Sequence, residues 1–491
     1  MDYIFKVTAL VPILPLSHSL SHPPMFPNLL LYLHIFIVIV IVTALLEKNQ
    51  GKLLLKKLLD YYLMLSAKKT RFSIVFFLVL LLTPVMICDV NSQQLPNSQQ
   101  NNDSFIIDNV SDNDNDSVYP QVASFDDNVY VTWEESMAGL NRLNYDILLK
   151  SSTDGGRTFG DVINLSNNTG FSEHPQISVN GRNVYVVWAD DTSSNRDIYI
   201  TASTDGGRTF GDVINLSDNA EDSHNQEIDV VGNNVYVTWQ DTQKNLNGNS
   251  RVSFISSTDG GRTFGDVINL SDNAGTSSFP KISSFKNNVY VIWNLDSEDE
   301  ASTLNGKVDG IFLIKSADNG NSFGKEIKLN LDEKPGEAQI AANDNDVYVV
   351  WGSPDPSVSR NNIGNNGGND GGVVVVGGGI FFIKSADNGN NFTAPLFIEG
   401  TFNSSYNVEM ISHSDELIIA VQGSVNEPER NQDIFMMKSL DRGNSFSDAI
   451  NISNNTGVSE CPSAAVSLDN DIFLTWQDNT PGNNDVLSTI I

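Results

Sequence analysis

Residues 152–159 read STDGGRTF, and the same octet returns at 203–210 and 257–264. Three relaxed copies follow: SADNGNSF from Ser316, SADNGNNF from Ser385 and SLDRGNSF from Ser439. Their aspartates, Asp154, Asp205, Asp259, Asp318, Asp387 and Asp441, lie 51, 54, 59, 69 and 54 residues apart. Asp and Ser side chains can hydrogen-bond the N–H groups of their own turn, and glycine supplies positive φ where the chain reverses. With the closing Phe tucked beneath the turn, each octet predicts a structural staple between two strands rather than a catalytic site. A staple recurring at a period near 50 residues points to a propeller or another repeat array.

The flanking sequence repeats in step. Upstream of the octets run NVYVTW to Trp133, NVYVVW to Trp188, NVYVTW to Trp239, NVYVIW to Trp293 and DVYVVW to Trp351, with DIFLTW to Trp476 after the last octet. All six tryptophans occupy this one column, and the remaining unit, ELIIAV, places Val421 there. The alternation predicts a half-buried strand B, and a large aromatic at one fixed register predicts packing between blades. Strand A precedes it, as in PQISV from Pro175. Strand C follows, as in DIYITAS from Asp197, and runs into the octet, after which GDVINLS supplies strand D. There are seven A–B–C sets but six octets, and the last set ends in DVLSTII at Ile491. The segment 105–113, FIIDNVSDN, matches the strand-D pattern INLSDN. The expectation is an all-β propeller of seven four-stranded blades, closed by an N-terminal strand that leaves no open sheet edge. Six blades is the alternative.

The pattern Ser-x-Asp-x-Gly-x-Thr/Ser-aromatic resembles the Asp-box, or BNR repeat, of sialidase-like β-propellers. The resemblance implies that the boxes lie on the face opposite the ligand site. It also implies what a working sialidase of that family needs: three arginines for the substrate carboxylate, a Tyr–Glu nucleophile pair and an Asp acid/base, with an early FRIP-like motif. No such motif occurs here. Arg142, Arg196, Arg251 and Arg430 fall near the start of strand C, the third strand from the axis, so no catalytic residue is carried over.

Residues 1–90 form a membrane-targeting region, 91–104 a polar Gln/Asn-rich linker and 105–491 the propeller. Residues 29–46 are an apolar run approaching a membrane span, and 72–87 a shorter one behind Lys68, Lys69 and Arg71. Basic residues between them favour a cytoplasmic loop and an exported propeller, anchored or secreted; a start at Met64 would make the second run a signal peptide. Beyond residue 96 there are 21 Lys/Arg against 56 Asp/Glu, a net charge of −35, which excludes nucleic acid as a partner and leaves membrane contact to the N-terminal segment. Cys461 is the one cysteine of the exported part, so no disulfide forms within it. Asp112, Asp114 and Asp116 have the alternating spacing of calcium loops without the Gly and distal Glu of an EF-hand. No cofactor is therefore expected, with calcium alone left open. Glycosylation sequons include Asn109, Asn164, Asn215, Asn269, Asn391 and Asn451, several belonging to the strand-D repeat itself.

A constant frame with variable loops predicts a binding surface on the face carrying the D–A and B–C loops. The position just before strand A should ring the channel mouth: Tyr119, His174, His224, Phe279, Glu337, then Tyr406 or Asn407, then Cys461. Aromatics and His suit sugar stacking; a two-His metal site is the lesser expectation. Recognition of a glycan, cell-envelope component or surface protein is the function expected. A divergent exo-acting glycoside hydrolase and a structural adhesion protein are the alternatives.

Overall fold

The computed structural model describes residues 105–137, 144–193, 195–243, 249–271, 275–296, 310–329, 335–352, 379–400, 402, 405–426, 431–467 and 470–491. The expected targeting region and linker, and Arg142 and Arg430, lie outside them. Among the described residues no helix is long and apolar enough to cross a membrane.

Seven antiparallel four-stranded sheets make up the domain, and each runs A-B-C-D from its first strand to its last. Blade 2 is representative: A is Ser172–Asn180, B Asn183–Asp190, C Asp197–Ser203 and D Ile214–Asn215. The A strands, from Ser117–Phe125 in blade 1 to Ser459–Val466 in blade 7, each pack against the A strands on both sides, so they form a closed inner ring. Blade 7 is composite. Its outer strand is Asp108–Asn109, pairing antiparallel with Asp485–Ile490 through Asp108↔Ser488 and Asn109↔Leu487. The Val110 N–H donates to Val486 O at 2.8 Å, Asn109 Nδ2 to Asp485 Oδ2 at 3.0 Å, and the Val110 side chain is buried.

Strand B departs from the half-buried expectation: from Val129 to Glu135 every residue is buried. The cause is the blade stack. Val129, Val131 and Trp133 pack against Phe473 and Val486 of blade 7, while Tyr130 packs against Val184, Val186 and Trp188 of blade 2. The same exchange recurs around the ring, giving one apolar core per blade interface. All six tryptophans are buried in these cores, and Val421 fills the column in blade 6. Burying a side chain of this size contributes roughly 2–3 kcal/mol through its apolar area alone.

The octets fold as staples. In the first, Ser152 Oγ donates to Asp154 Oδ1 at 2.7 Å and accepts from Gly156 N at 2.9 Å, while Thr158 Oγ1 donates to Asp154 Oδ2 at 2.6 Å. Gly156 has φ 84°, and a Cβ there would lie 2.3 Å from the Phe473 ring of blade 7, so the turn excludes any side chain twice over. Gly155 N donates to Asp127 O in the A–B turn, and Gly206 N to Arg182 O likewise. The octets therefore share an end of the blades with the A–B turns, away from the start of strand A.

Candidate functional site

At the opposite end, each A strand except that of blade 5 enters through a β-bulge. The bulge residue takes positive φ: Tyr119 49°, His174 52°, Asn225 53°, Phe279 51°, Asn407 41° and Cys461 51°. Left-handed backbone is costly for bulky side chains, so its recurrence at one register marks a position imposed by the fold. The register corrects one expectation. Asn225, not His224, is equivalent to Tyr119 and His174; His224 pairs with Gln240 one residue earlier and is not among the residues lining the channel. The shift arises because Gln226 stands where four blades carry Pro120, Pro175, Pro280 and Pro462, removing the marker that aligns the others. In blade 6 Asn407 holds the position; in blade 5 Glu337 precedes a strand that starts at Ala338 without a bulge.

The residue after the tryptophan column, which the sequence reading passed over, fastens four of the six bulges to the neighbouring blade. Gln477 Oε1 accepts from Tyr119 N at 3.0 Å, Gln240 Oε1 from Phe279 N at 3.4 Å and Gln422 Oε1 from Cys461 N at 3.2 Å. Glu134 accepts from His174 N in the same way. The bulge N–H would otherwise be a buried orphan donor, so the clasp both satisfies it and fixes the rim side chains. Glu134 is 3% exposed, and burial pushes its carboxyl up to about 8 against the opposing His174 hydrogen bond.

The rim is aromatic and acid-lined. Tyr119 and Phe279 remain 40% and 37% exposed. The Tyr119 and His174 rings meet at 4.5 Å between centroids, tilted by 56°. Burial, helped by the Arg196, His224 and Lys281 charges, pushes the His174 imidazole down to about 4, so it is neutral at pH 7. Cys461 is pushed up to about 12 by burial and by Glu460, Glu337 and Glu134, which keeps it a thiol and a poor nucleophile. Glu460 accepts from Gln477 Nε2 at 2.9 Å, and Glu173 pairs with Arg196 at 2.8 Å. Arg251 pairs with Glu221 at 2.7 Å, so the two described arginines of the B–C side are engaged with acids, Glu173 at the start of strand A and Glu221 in the D–A loop.

Two residues below the rim, one register carries Gln121, Gln176, Glu227, Lys281, Gln339, Glu409 and Ser463 around the channel. Lys281 Nζ is ion-paired to Glu227, and Gln339 Nε2 donates to Glu409 Oε2 at 3.2 Å. Burial raises Glu409 to about 8, opposed by Lys281. Rim and ring enclose a cavity of about 800 Å³, large enough for a sugar unit. Among the described residues, Asp112, Asp114 and Asp116 included, no group of three or more His, Cys, Asp or Glu could hold a metal ion. Several sequon asparagines are engaged in the frame: Asn164 Nδ2 donates to Asp146 at 2.7 Å and Asn215 Nδ2 to Asp197 at 3.0 Å.

No family model and no curated protein matches this sequence. Among solved structures the chain is similar to a mutant of Trypanosoma rangeli sialidase displaying trans-sialidase activity, at 10% identity and a TM-score of 0.44, covering 76% of this chain and 54% of that one. It is similar to a protein of unknown function from Dyadobacter fermentans at 12% identity and TM-score 0.45, covering 78% and 98%. It is also similar to phage phi92 endosialidase at 11% identity and TM-score 0.45, covering 79% and 69%. This chain thus spans about half the length of the first of these. At such identities the likeness concerns fold and not activity.

Proposed function

We propose that the propeller is a recognition module, exported and either anchored or secreted, that seats a cell-surface or envelope glycan at the channel mouth. The observation that carries this reading is the rim itself. One register presents six kinds of side chain over seven blades, only Asn occurring twice, with two exposed aromatics among them, above a cavity of about 800 Å³. Sugar rings bind by laying C–H faces on aromatics while amides and carboxylates take their hydroxyls. A glycan array tests it: wild type should retain a discrete set of glycans, and Tyr119→Ala with Phe279→Ala should lose them without a change in melting temperature. Equal retention by the double variant sinks the reading.

A divergent exo-acting glycoside hydrolase is the second reading, favoured by the protonated Glu134 carboxyl, which has the ionisation a general acid requires. Its burial and its bond to the His174 N–H favour the clasp role instead. Turnover of a fluorogenic glycoside, abolished by Glu134→Gln, would promote it.

A further inference from the structure

We infer that Gln176 is the group with which the channel selects its glycan, and that the sugar it takes is uncharged, with adjacent hydroxyls bonded to the two ends of the Gln176 amide. The inference rests on the glycan reading above and names the class of sugar. It starts from the parity of the ring. The register two residues below the rim has seven members, and neighbours pair off. Ser463 Oγ donates to Gln121 Oε1 at 3.2 Å across blades 7 and 1, Lys281 is bound to Glu227 across blades 4 and 3, and Gln339 Nε2 donates to Glu409 Oε2 at 3.2 Å across blades 5 and 6. An odd ring leaves one member over. It is Gln176 of blade 2, half-buried, lining the cavity and without a side-chain partner among the described residues. Its carbonyl oxygen can accept from one hydroxyl and its NH2 group donate to the next without breaking any bond of the protein. Gln176 also lies two residues along the strand from His174, whose ring meets that of Tyr119 at 4.5 Å, so the open amide stands beneath an aromatic wall on which a sugar face can lie. Charge in this corner is balanced within the protein: His174 and Glu134 are neutral at pH 7, and Glu173 is paired with Arg196. A carboxylate or ammonium sugar would give up hydration here without meeting an opposite charge.

Isothermal titration at pH 7 tests this with neutral tetramers of glucose, mannose, galactose and N-acetylglucosamine beside sialyllactose, trigalacturonate and glucosamine tetramer. A neutral tetramer should bind more tightly than every charged sugar. Gln176→Ala should weaken it about tenfold, a loss of about 1.4 kcal/mol, and Gln121→Ala, at the equivalent position of blade 1, by less than about threefold. The melting temperature of Gln176→Ala should match wild type, because no bond within the protein is lost; a fall of several degrees would overturn Gln176 as the open member of the ring. Tightest binding by a charged sugar, wild-type affinity in Gln176→Ala, or equal loss in both variants overturns the inference. If the double variant Tyr119→Ala, Phe279→Ala then loses the bound sugar, the glycan reading survives alone. Failure of every sugar to bind overturns both.

Discussion

Glu134 stands where blades 3, 6 and 7 use Gln240, Gln422 and Gln477, and all four accept from the N–H of a neighbouring bulge. A neutral amide does this without an ionisation penalty, whereas the buried carboxyl titrates near 8 instead of its ordinary 4.5. Its folded value lies above its unfolded one, so the protonated form's stability is fully present below pH 4.5 and is lost as pH rises through about 8. Glu134→Gln should therefore flatten the stability profile across that window and leave the variant more stable above pH 8, by on the order of a few kcal/mol. Urea denaturation at pH 5, 7 and 8.5 would check it; parallel profiles for wild type and variant would refute it. The rim was legible in the sequence wherever proline flagged the bulge, at Tyr119, His174, Phe279 and Cys461. Asn225 was missed for want of that flag, although the fourteen-residue spacing to the tryptophan column, kept from Tyr119 to Trp133 and from Asn225 to Trp239, would have located it.

At the scale of the element, the octet turn was legible because its bonds are local, spanning four residues, while the clasp was not, because it joins different blades. Strand B misled for the same reason: alternation reports one buried face, and the second face is buried only by a neighbour about fifty residues distant. The octet also bears on the response of the fold to acid. Hydrogen bonds led by those from Thr158, Asn391 and Ser445 hold the carboxyls of Asp154, Asp387 and Asp441 down to about 2, below their usual 3.8. Depressed carboxylates stabilise above the unfolded value and lose that contribution as pH falls through the folded one. Circular dichroism should show the fold intact at pH 4 and failing towards pH 2, and Asp387→Asn should make that failure less steep. An acid midpoint above pH 4 would count against the boxes as its cause.

The ring is closed by Asp108–Asn109, two residues whose pairing with Asp485–Ile490 joins the ends of the described domain. Deleting 105–111 removes this strand, the buried Val110 and the Ser111–Asp485 hydrogen bond, and exposes the edge of blade 7. The melting temperature should fall by several degrees or more and the protein should associate at high concentration; unchanged melting would show that the closure is dispensable. Joining such distant ends costs little more than joining near ones, since loop entropy grows only with the logarithm of length. Timing is another matter. The first of the described strands to leave the ribosome belongs to the last sheet, and its partner is the latest-made of the described strands. Six blades can assemble as they emerge, but the seventh cannot form until synthesis has passed Ile490, so a nascent or truncated chain carries an unpaired beginning. The closure thus couples ring formation to synthesis of the Asp485–Ile490 strand: the seventh sheet is complete only once that strand has been made.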